Sequence, residues 1–264
     1  MRGVMTPRLK GWGYLTKLSS GGFSAAAVSL FSVMNPQPTL ARKRTINNLI
    51  VSLQSSGVWS STDVLYVLAA HSSQAASLNW KNPATFTLAT LNSPTFTTDR
   101  GYTGDGVSSG LTGGPNLSSF GGLYALDNAS FGVWCGTDAT ENVGDWGATN
   151  NNIRSHAGAT TMSTRANDGT STTSTISPAT AVGLSAWSRN NSSDYITYKN
   201  GVALATIAVA SVAISNATTT ICFVGGGFST KRVQLAKAGA ALTAAQHLAE
   251  YNAFNSYMTA IGAA

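Results

Sequence analysis

Residues 99–111, DRGYTGDGVSSGL, hold the residue types in this sequence that are best suited to chemistry. The frame Gly-x-Ser-x-Gly runs from Gly106 to Gly110, and in serine hydrolases this frame places the nucleophile between a strand and a helix. No apolar strand leads into Ser108, and the glycine- and proline-containing stretch after it cannot form a helix. We therefore expect no serine nucleophile here.

The same segment could hold a cation, because Asp99, Asp105 and the carbonyls of a glycine loop are the hard oxygen ligands that calcium prefers. The segment lacks a bidentate acid downstream, and aspartates in turns commonly accept bonds from their own backbone. We interpret both aspartates as turn-forming acceptors, with Arg100 as a local partner, and predict no metal site. Calcium near Asp99 and Asp105 stays open as the alternative.

Carboxylates suited to glycoside cleavage are scarce. Glycoside cleavage needs two carboxylates held about 5–9 Å apart on rigid elements, yet the chain has only two glutamates, Glu141 and Glu250. Asp138, Glu141 and Asp145 form the nearest cluster, in an apparent loop that is interpreted as a solvated turn. The sequence therefore predicts no catalytic residue and no enzyme, with glycan cleavage by these three acids as the weakest alternative.

Histidines, cysteines and glycine motifs give no cofactor site. No Cys/His pair has zinc-ligand spacing, and no phosphate-binding glycine motif is present. Cys135 and Cys222 lie in apolar runs and are interpreted as two buried thiols, with a disulfide as the alternative. No cofactor is predicted.

The segment TENVGDWGATNNNIR is the best candidate for ligand binding. A loop tryptophan offers a ring face to a sugar, and neighbouring amides and a carboxylate bind hydroxyl groups. The predicted glycan-binding residues are Trp146, Asp145, Asn150, Asn151 and Asn152. The alternative is a tryptophan tucked under its own loop.

Charge is concentrated at the N-terminus. Residues 1–44 carry seven Lys or Arg and no acid, whereas the remainder has a net charge of −1. We predict an assembly or anchoring role for this region, against a solubilising tail as the alternative. The anchoring residues are Arg2, Arg8, Lys10, Trp12, Lys17, Arg42, Lys43 and Arg44. Stacking aromatics are not interleaved with them, so no nucleic-acid substrate is expected. No apolar run reaches about 18 residues, so no membrane insertion is expected.

Periodicity divides the chain into three parts: an extended basic arm (1–38), a helical or mixed anchoring segment (39–84) and a β-sandwich with a C-terminal helix (85–264). Thr39 can cap a helix whose apolar face is formed by Ile46, Leu49, Ile50 and Leu53. The run DVLYVLAA is ambiguous between strand and helix. A capping box formed by Thr243 and Gln246 begins the last helix. Its stripe is predicted to pack on the sandwich or to form a subunit interface, and consists of Leu248, Tyr251, Phe254, Met258 and Ile261.

Short period-two segments recur about every ten residues after position 85, each bounded by turn-forming residues. Asn200-Gly201 separates two of them and is the preferred pair for a two-residue hairpin turn. The pattern predicts a mainly β protein, an antiparallel β-sandwich of jelly-roll type.

Several stretches occur together in an order that resembles tailed-phage and prophage virion proteins with a concanavalin A-like, laminin-G-like jelly roll. They are GVWSSTDVLYVLAAHSSQAASLNWKNP, SPTFTTDRGYTGDGVSSGL, ASFGVW, a KNG hairpin and LTAAQHLAEYNAFNSYMTAIGA. The resemblance covers about residues 40–264. The clustered acidic calcium and manganese motif of legume lectins has no match here.

This resemblance implies a virion structural protein: a head fibre, a capsid decoration protein or a tail-fibre component. It would be synthesised in the bacterial host cytoplasm, anchored through its N-terminal region to capsid, portal or tail proteins, and homo-oligomeric. Some such proteins bind host surface glycans, so a glycan-binding receptor module is the alternative function.

Overall fold

The computed structural model describes residues 22–264. Five helices are present in this part of the chain: α1 (Ala25–Val33), α2 (Leu40–Ser55), α3 (Val58–Ser61), α4 (Ser73–Ser77) and α5 (Ala244–Ala260). Five of the predicted anchoring residues lie outside the described residues, namely Arg2, Arg8, Lys10, Trp12 and Lys17.

Seventeen strands are present in the same part of the chain. The first nine are β1 (Thr62–Val67), β2 (Ala89–Leu91), β3 (Thr95–Thr97), β4 (Gly101–Thr103), β5 (Gly110–Thr112), β6 (Ala129–Cys135), β7 (Trp146–Ala148), β8 (Asn151–Gly158) and β9 (Thr161–Ala166). The other eight are β10 (Thr172–Thr175), β11 (Gly183–Arg189), β12 (Tyr195–Lys199), β13 (Val202–Ile207), β14 (Thr220–Ile221), β15 (Phe223–Val224), β16 (Gly227–Phe228) and β17 (Arg232–Gly239).

Two antiparallel sheets form a sandwich, as the spacing of the short segments predicts. The first has the order β13-β12-β11-β6-β17-β4-β3, and β1 also pairs with β17. The second has the order β10-β9-β8-β7-β14-β5-β2, and β15 pairs with β16 separately. The Asn200-Gly201 turn joins β12 to β13, with positive φ angles of 50° and 78° at its two residues. The mainly β sandwich architecture is thereby confirmed.

The core between the sheets is built on stacked aromatic rings. Phe131 of β6 lies between Trp146 of β7 and Trp187 of β11, with ring centroids 4.8 and 5.6 Å away. Offset stacks of this kind contribute about 0.5–1.5 kcal/mol beyond the area that they bury. Because β6 and β7 belong to different sheets, the Phe131–Trp146 stack joins the two layers directly.

A layer of helices covers the outer face of the eight-stranded sheet. Thr39 caps α2 by accepting a bond from the Arg42 amide, and the predicted apolar positions of α2 are buried. Thr243 and Gln246 form the predicted capping box of α5. The buried face of α5 differs from the predicted stripe: Leu248 is exposed, whereas polar His247 and Glu250 are buried. Glu250 pairs with Lys237 of β17, and His247 pairs with Glu250 and stacks on Tyr198 of β12.

The boundaries at the N-terminal side also differ from the predicted ones. Residues 25–33 are helical, and Ala27 and Leu30 are fully buried, so this stretch of the predicted extended arm (1–38) belongs to the core. The run DVLYVLAA forms β1, which pairs with β17 in the sandwich. The predicted anchoring segment (39–84) therefore supplies a strand of the sandwich, and residue 84 does not mark its beginning.

Strand β17 was not predicted, although it pairs with β1, β4 and β6. Its apolar pattern is interrupted by Arg232, Gln234 and Lys237, which typically lie on surfaces. Here Gln234 and Lys237 are buried with partners from other elements.

Among residues 22–264, no helix is both long and apolar enough to cross a membrane.

Candidate functional site

Trp146 does not form the predicted sugar platform. It lies in strand β7, is fully buried, and its Nε1 donates to the carbonyl of Lys237 at 3.3 Å. Its ring faces are occupied by core aromatics, including Phe131 and the edge of Tyr66. A ring enclosed between two sheets cannot stack on a ligand, so the prediction of a loop tryptophan is wrong.

The polar neighbours of Trp146 are equally enclosed. Asp145 is fully buried, with Oδ1 3.0 Å from Lys231 Nζ and Oδ2 accepting the Ser155 amide at 2.7 Å. Asn151 and Asn152 are buried in β8. Only Asn150 of the predicted group is partly exposed, and its amide donates to the Ala213 carbonyl. These residues hold the second sheet together, and the structure does not bring them to a common surface.

The two other acids of that segment also have structural partners. Glu141 accepts bonds from Ser229 and Thr230 and lies 3.5 Å from Lys231. Asp138 accepts the amide of Ala181 at 2.7 Å and pairs with His156. Burial opposes ionisation of both carboxyls, yet their hydrogen bonds prevail and hold each pKa below its usual value. Both acids therefore serve to attach the loop to distant strands.

The segment 99–111 contains β4 and most of β5, and the turn between them is held by Asp105 as predicted, whereas the Asp99 carboxylate accepts a bond from Arg42 and none from the backbone of its own turn. Asp105 accepts three backbone N–H bonds, from Val107, Ser108 and Ser109, and these hold its pKa well below the usual value. Arg100 donates to the backbone carbonyl of Asp99 and to neither aspartate side chain. Among residues 22–264, no group of three or more metal-ligating side chains converges.

The three basic residues at the start of α2 differ in accessibility. Arg42 pairs with Asp99, and the Lys43 ammonium lies 5.5 Å from the ring centroid of Phe31. Only Arg44 is exposed. Arg42 and Lys43 are therefore engaged within the chain, and Arg44 alone of the three is available to an external partner.

A cleft of about 390 Å³ lies between α5 and the outer face of the eight-stranded sheet. This volume falls within the range of about 300–1,000 Å³ that is usual for small-molecule sites. Its walls are formed by Arg100, Trp134, Gly136, Val182, Gly183, Asn200, Arg232, Gln234, Tyr251, Asn255 and residues 262–264.

Strand alternation brings an aromatic pair to this cleft. Phe131 of β6 points into the core, so Trp134, three positions on, points outward and stacks on Tyr251 of α5. Their ring centroids are 5.8 Å apart and the planes differ by 9°. The Tyr251 hydroxyl has no hydrogen-bond partner among the described residues.

Two polar atoms behind the cleft wall have unused hydrogen-bonding capacity. Arg232 Nε and Gln234 Oε1 are both buried and without a partner in residues 22–264. Gln234 is fully buried, and its Nε2 donates to the Ala263 carbonyl. Because neither atom has accessible surface, a ligand in the cleft would not contact them, and it would meet instead the half-buried side chains of Tyr251 and Asn255.

Sequence reasoning did not identify this cleft, because its residues are spread from position 100 to position 264. Trp134 looks like a core residue within an apolar strand, and Tyr251 belongs to a helical stripe. Arg232 and Gln234 come from the strand that was not predicted. The only local signal was Tyr251, whose hydroxyl needs either solvent or a partner.

Both cysteines are free and buried, as their apolar surroundings predict.

No protein-family model matches the chain, and no curated protein matches it. Solved structures do match: the botulinum neurotoxin serotype D binding domain aligns with a TM-score of 0.52 and 8% identity, over 74% of this chain and 52% of that one. At this identity the likeness shows the fold alone, a β-sandwich.

Two further solved structures align less closely. Domain 4 of AbnA, a GH43 extracellular arabinanase from Geobacillus stearothermophilus in complex with arabinotriose, gives a TM-score of 0.42 at 15% identity, over 71% of this chain and 97% of that one. The Trypanosoma rangeli sialidase gives a TM-score of 0.46 at 9% identity, over 82% of this chain and 40% of that one. The chain spans about half the length of the neurotoxin binding-domain structures that it matches.

Proposed function

We propose that this protein is a glycan-binding module whose ligand lies in the cleft between α5 and the eight-stranded sheet. One observation carries the proposal: a half-buried tyrosine ring with a free hydroxyl, Tyr251, and an asparagine amide without a hydrogen-bond partner among the described residues, Asn255, line the same cleft. Sugars present both an apolar ring face and hydroxyl groups, so they are suited to a site that combines aromatic rings with amides. The lectin-like sandwich is a fold that accommodates such a site, although a fold alone does not assign a function.

Particular side chains would divide the recognition of a sugar between them. The Tyr251 hydroxyl and the Asn255 amide stand on the α5 wall of the cleft and would bind sugar hydroxyls. The half-buried Tyr251 ring would pack against the apolar face of the sugar. Trp134, which is 4% exposed, would support the Tyr251 ring by stacking on it and would not contact the ligand itself.

The test is a glycan array probed with the wild type, Tyr251→Phe and Asn255→Ala. Tyr251→Phe removes only a hydroxyl, and Asn255 makes no hydrogen bond in the described structure, so both variants should fold normally. Asn252→Ala is the matched control, because Asn252 lies on α5 but is exposed outside the cleft. We expect binding to a defined set of glycans, weakened several-fold by both cleft variants and unchanged by the control. A blank array, or binding that ignores both variants, would refute the proposal.

A second candidate function is display on a phage virion. The observation that favours it is the charge of the N-terminal region, whose seven basic residues have no acid among them, with Arg44 exposed at the α2 terminus. In this proposal the region before α1 anchors the protein to capsid, portal or tail proteins, and the sandwich faces outward.

Deletion of residues 1–21 tests the anchoring proposal without removing the buried residues of α1. The truncated protein should stay folded and fail to join particles, whereas Arg44→Ala should reduce incorporation only in part. Normal incorporation of the truncated protein would refute the proposal. Labelling the chain in purified particles would distinguish a head location from a tail location.

A further inference from the structure

Two arginine side chains line the cleft from adjacent strands. Arg100 precedes β4, and Arg232 is the first residue of β17, where it pairs with Thr103 of β4. The two strands approach closely because residue 101 is a glycine: a Cβ there would collide with the backbone carbonyl of Val233. This close approach places the positive charges of Arg100 and Arg232 on the same side of the cleft.

Neither guanidinium is neutralised within residues 22–264. Arg100 Nη1 donates to the carbonyls of Asp99 and Ile261, and Arg232 Nη2 donates to the carbonyl of Gly136. The nearest acid along the chain, Asp99, directs its carboxylate to Arg42. All other ion pairs in the described part of the chain involve different cations.

Placing two unneutralised guanidinium groups side by side is unfavourable. Burial lowers the pKa of Arg232, and the charge of Arg100 lowers it further. An anion between the two groups would relieve this repulsion. A carboxylate suits the site, because its two oxygens match the planar fork of a guanidinium.

The rest of the cleft narrows the class of anion. The Tyr251 hydroxyl and the Asn255 amide line the cleft without hydrogen-bond partners among the described residues, and sugar hydroxyls would satisfy both. The half-buried Tyr251 ring is suited to the apolar face of a sugar. A ligand with all three features is a sugar that bears a carboxylate.

We infer that the cleft binds an acidic sugar, of the uronic or sialic acid class, with its carboxylate held between Arg100 and Arg232. The inference rests on the proposed glycan-binding function and adds the chemical class of the ligand and the two residues that select it. Tyr251 and Asn255 would orient the ring, and the arginine pair would discriminate an acidic sugar from a neutral one.

Calorimetric titration provides the test, with three probes: methyl β-D-glucuronide, the methyl glycoside of N-acetylneuraminic acid and neutral methyl β-D-glucoside. The proteins are the wild type, Arg100→Gln, Arg232→Lys and Arg232→Ala, with Arg44→Ala as the matched exposed control. Circular dichroism and urea unfolding establish that each variant is folded. Arg232→Lys keeps the charge but loses the planar fork, so it tests bidentate binding even if Arg232→Ala fails to fold.

We expect at least one acidic probe to bind the wild type more tightly than the glucoside. Each cleft variant should weaken that binding about tenfold or more, which is the usual size of a charge-assisted hydrogen bond. Arg44→Ala should leave it unchanged.

Three results would overturn the inference, and they are distinguishable from failure of the proposed function. If the glucoside binds as tightly as the acids and the arginine variants bind normally, the cleft is a neutral-sugar site and only this inference fails. If acidic probes bind but ignore both arginines, the carboxylate lies elsewhere. If inorganic phosphate competes as well as the acids do, the arginine pair is a general anion site. Absence of binding by any glycan, on the array and in titration, refutes the proposed function and this inference together.

Discussion

The Arg42 guanidinium donates to the Asp99 carboxylate at 2.6 Å, joining the first turn of α2 to the turn that follows β3. The sequence alone predicts Arg42 to be an anchoring cation and Asp99 to be a turn-forming acceptor, with calcium binding as the alternative for Asp99. Their side chains are only 16% and 24% exposed, so the contact is largely shielded from solvent. The pair fixes the helical layer to the sheet on the side where Arg100 enters the cleft.

Breaking this pair should destabilise the fold. We expect Arg42→Ala and Asp99→Asn each to lower the free energy of unfolding by about 1.5–3 kcal/mol, the usual contribution of a hydrogen bond to a charged group. Urea unfolding of both single variants and the double variant measures the coupling between them. Arg44 lies two positions further along α2 and is exposed, so Arg44→Ala should change the free energy of unfolding by about 0.5 kcal/mol or less. Additive effects in the double variant would contradict a direct contact.

The buried pair Asp145–Lys231 should be more costly to break. Burial opposes the charge on Lys231, but the Asp145 carboxylate prevails and raises the pKa of the ammonium above its usual value. Asp145→Asn should therefore lower the free energy of unfolding by an amount towards the low end of about 3–5 kcal/mol, because the buried Lys231 charge loses its nearest partner and, among the described residues, keeps only Glu141, 3.5 Å away.

The double variant Asp145→Asn/Lys231→Met is the control for this prediction. Removal of the stranded charge should restore a measurable part of the lost stability. A double variant that is less stable than Asp145→Asn would show instead that Lys231 contributes mainly by packing.

A buried cluster on α5 should make stability depend on pH. His247 Nδ1 lies 2.8 Å from Glu250 Oε1, Glu250 Oε2 lies 2.7 Å from Lys237 Nζ, and the Tyr198 ring stacks on the imidazole. Burial lowers the pKa of His247 below its usual 6.5, although Glu250 opposes this shift. The unfolded chain therefore binds the proton more readily than the folded one.

Stability from His247 is thus fully present above pH 6.5 and is lost as the pH falls through the lower pKa of the folded state. We expect the free energy of unfolding to decline between pH 7.5 and 5, with a shallower decline in His247→Gln. The NMR titration of the His247 ring gives the folded pKa directly. A ring that titrates above 6.5 would reverse the sign of the effect and refute the prediction.

Trp146 should behave as a core residue with no role in ligand binding. Trp146→Ala removes a ring stacked between the sheets and should cost about 3–5 kcal/mol. Trp146→Phe keeps part of that stack and should leave a protein that binds glycans as the wild type does. If a folded Trp146→Phe variant loses glycan binding, this prediction is wrong and the binding site lies at Trp146, where the sequence predicts it.

The sequence predicts well what depends on local pattern. The helix caps at Thr39 and Thr243, the Asn200-Gly201 hairpin and the sandwich class follow from side chains that act on residues within a few positions. In contrast, Trp146 resembles a loop residue because polar Asp145 precedes it. That interpretation fails because the partner of Asp145, Lys231, is 86 positions away.

The cleft escapes sequence reasoning for the same reason. Arg100, Trp134, Arg232 and Tyr251 meet only after β4, β6 and β17 have paired and α5 has covered them. Each has an ordinary local explanation as a turn, core, surface or helix residue. Only the three-dimensional arrangement reveals two unneutralised guanidinium groups beside an aromatic pair.

The central claim is that the cleft under α5 holds the ligand, and titration of methyl β-D-glucuronide into ¹⁵N-labelled protein tests it most directly. The account predicts that the largest chemical-shift changes fall on the Asn255 side-chain amide, the Arg100 Nε–H and the Arg232 Nε–H, and that they saturate together. Changes confined to other surfaces, or no change for this probe and its sialic acid counterpart, would contradict it.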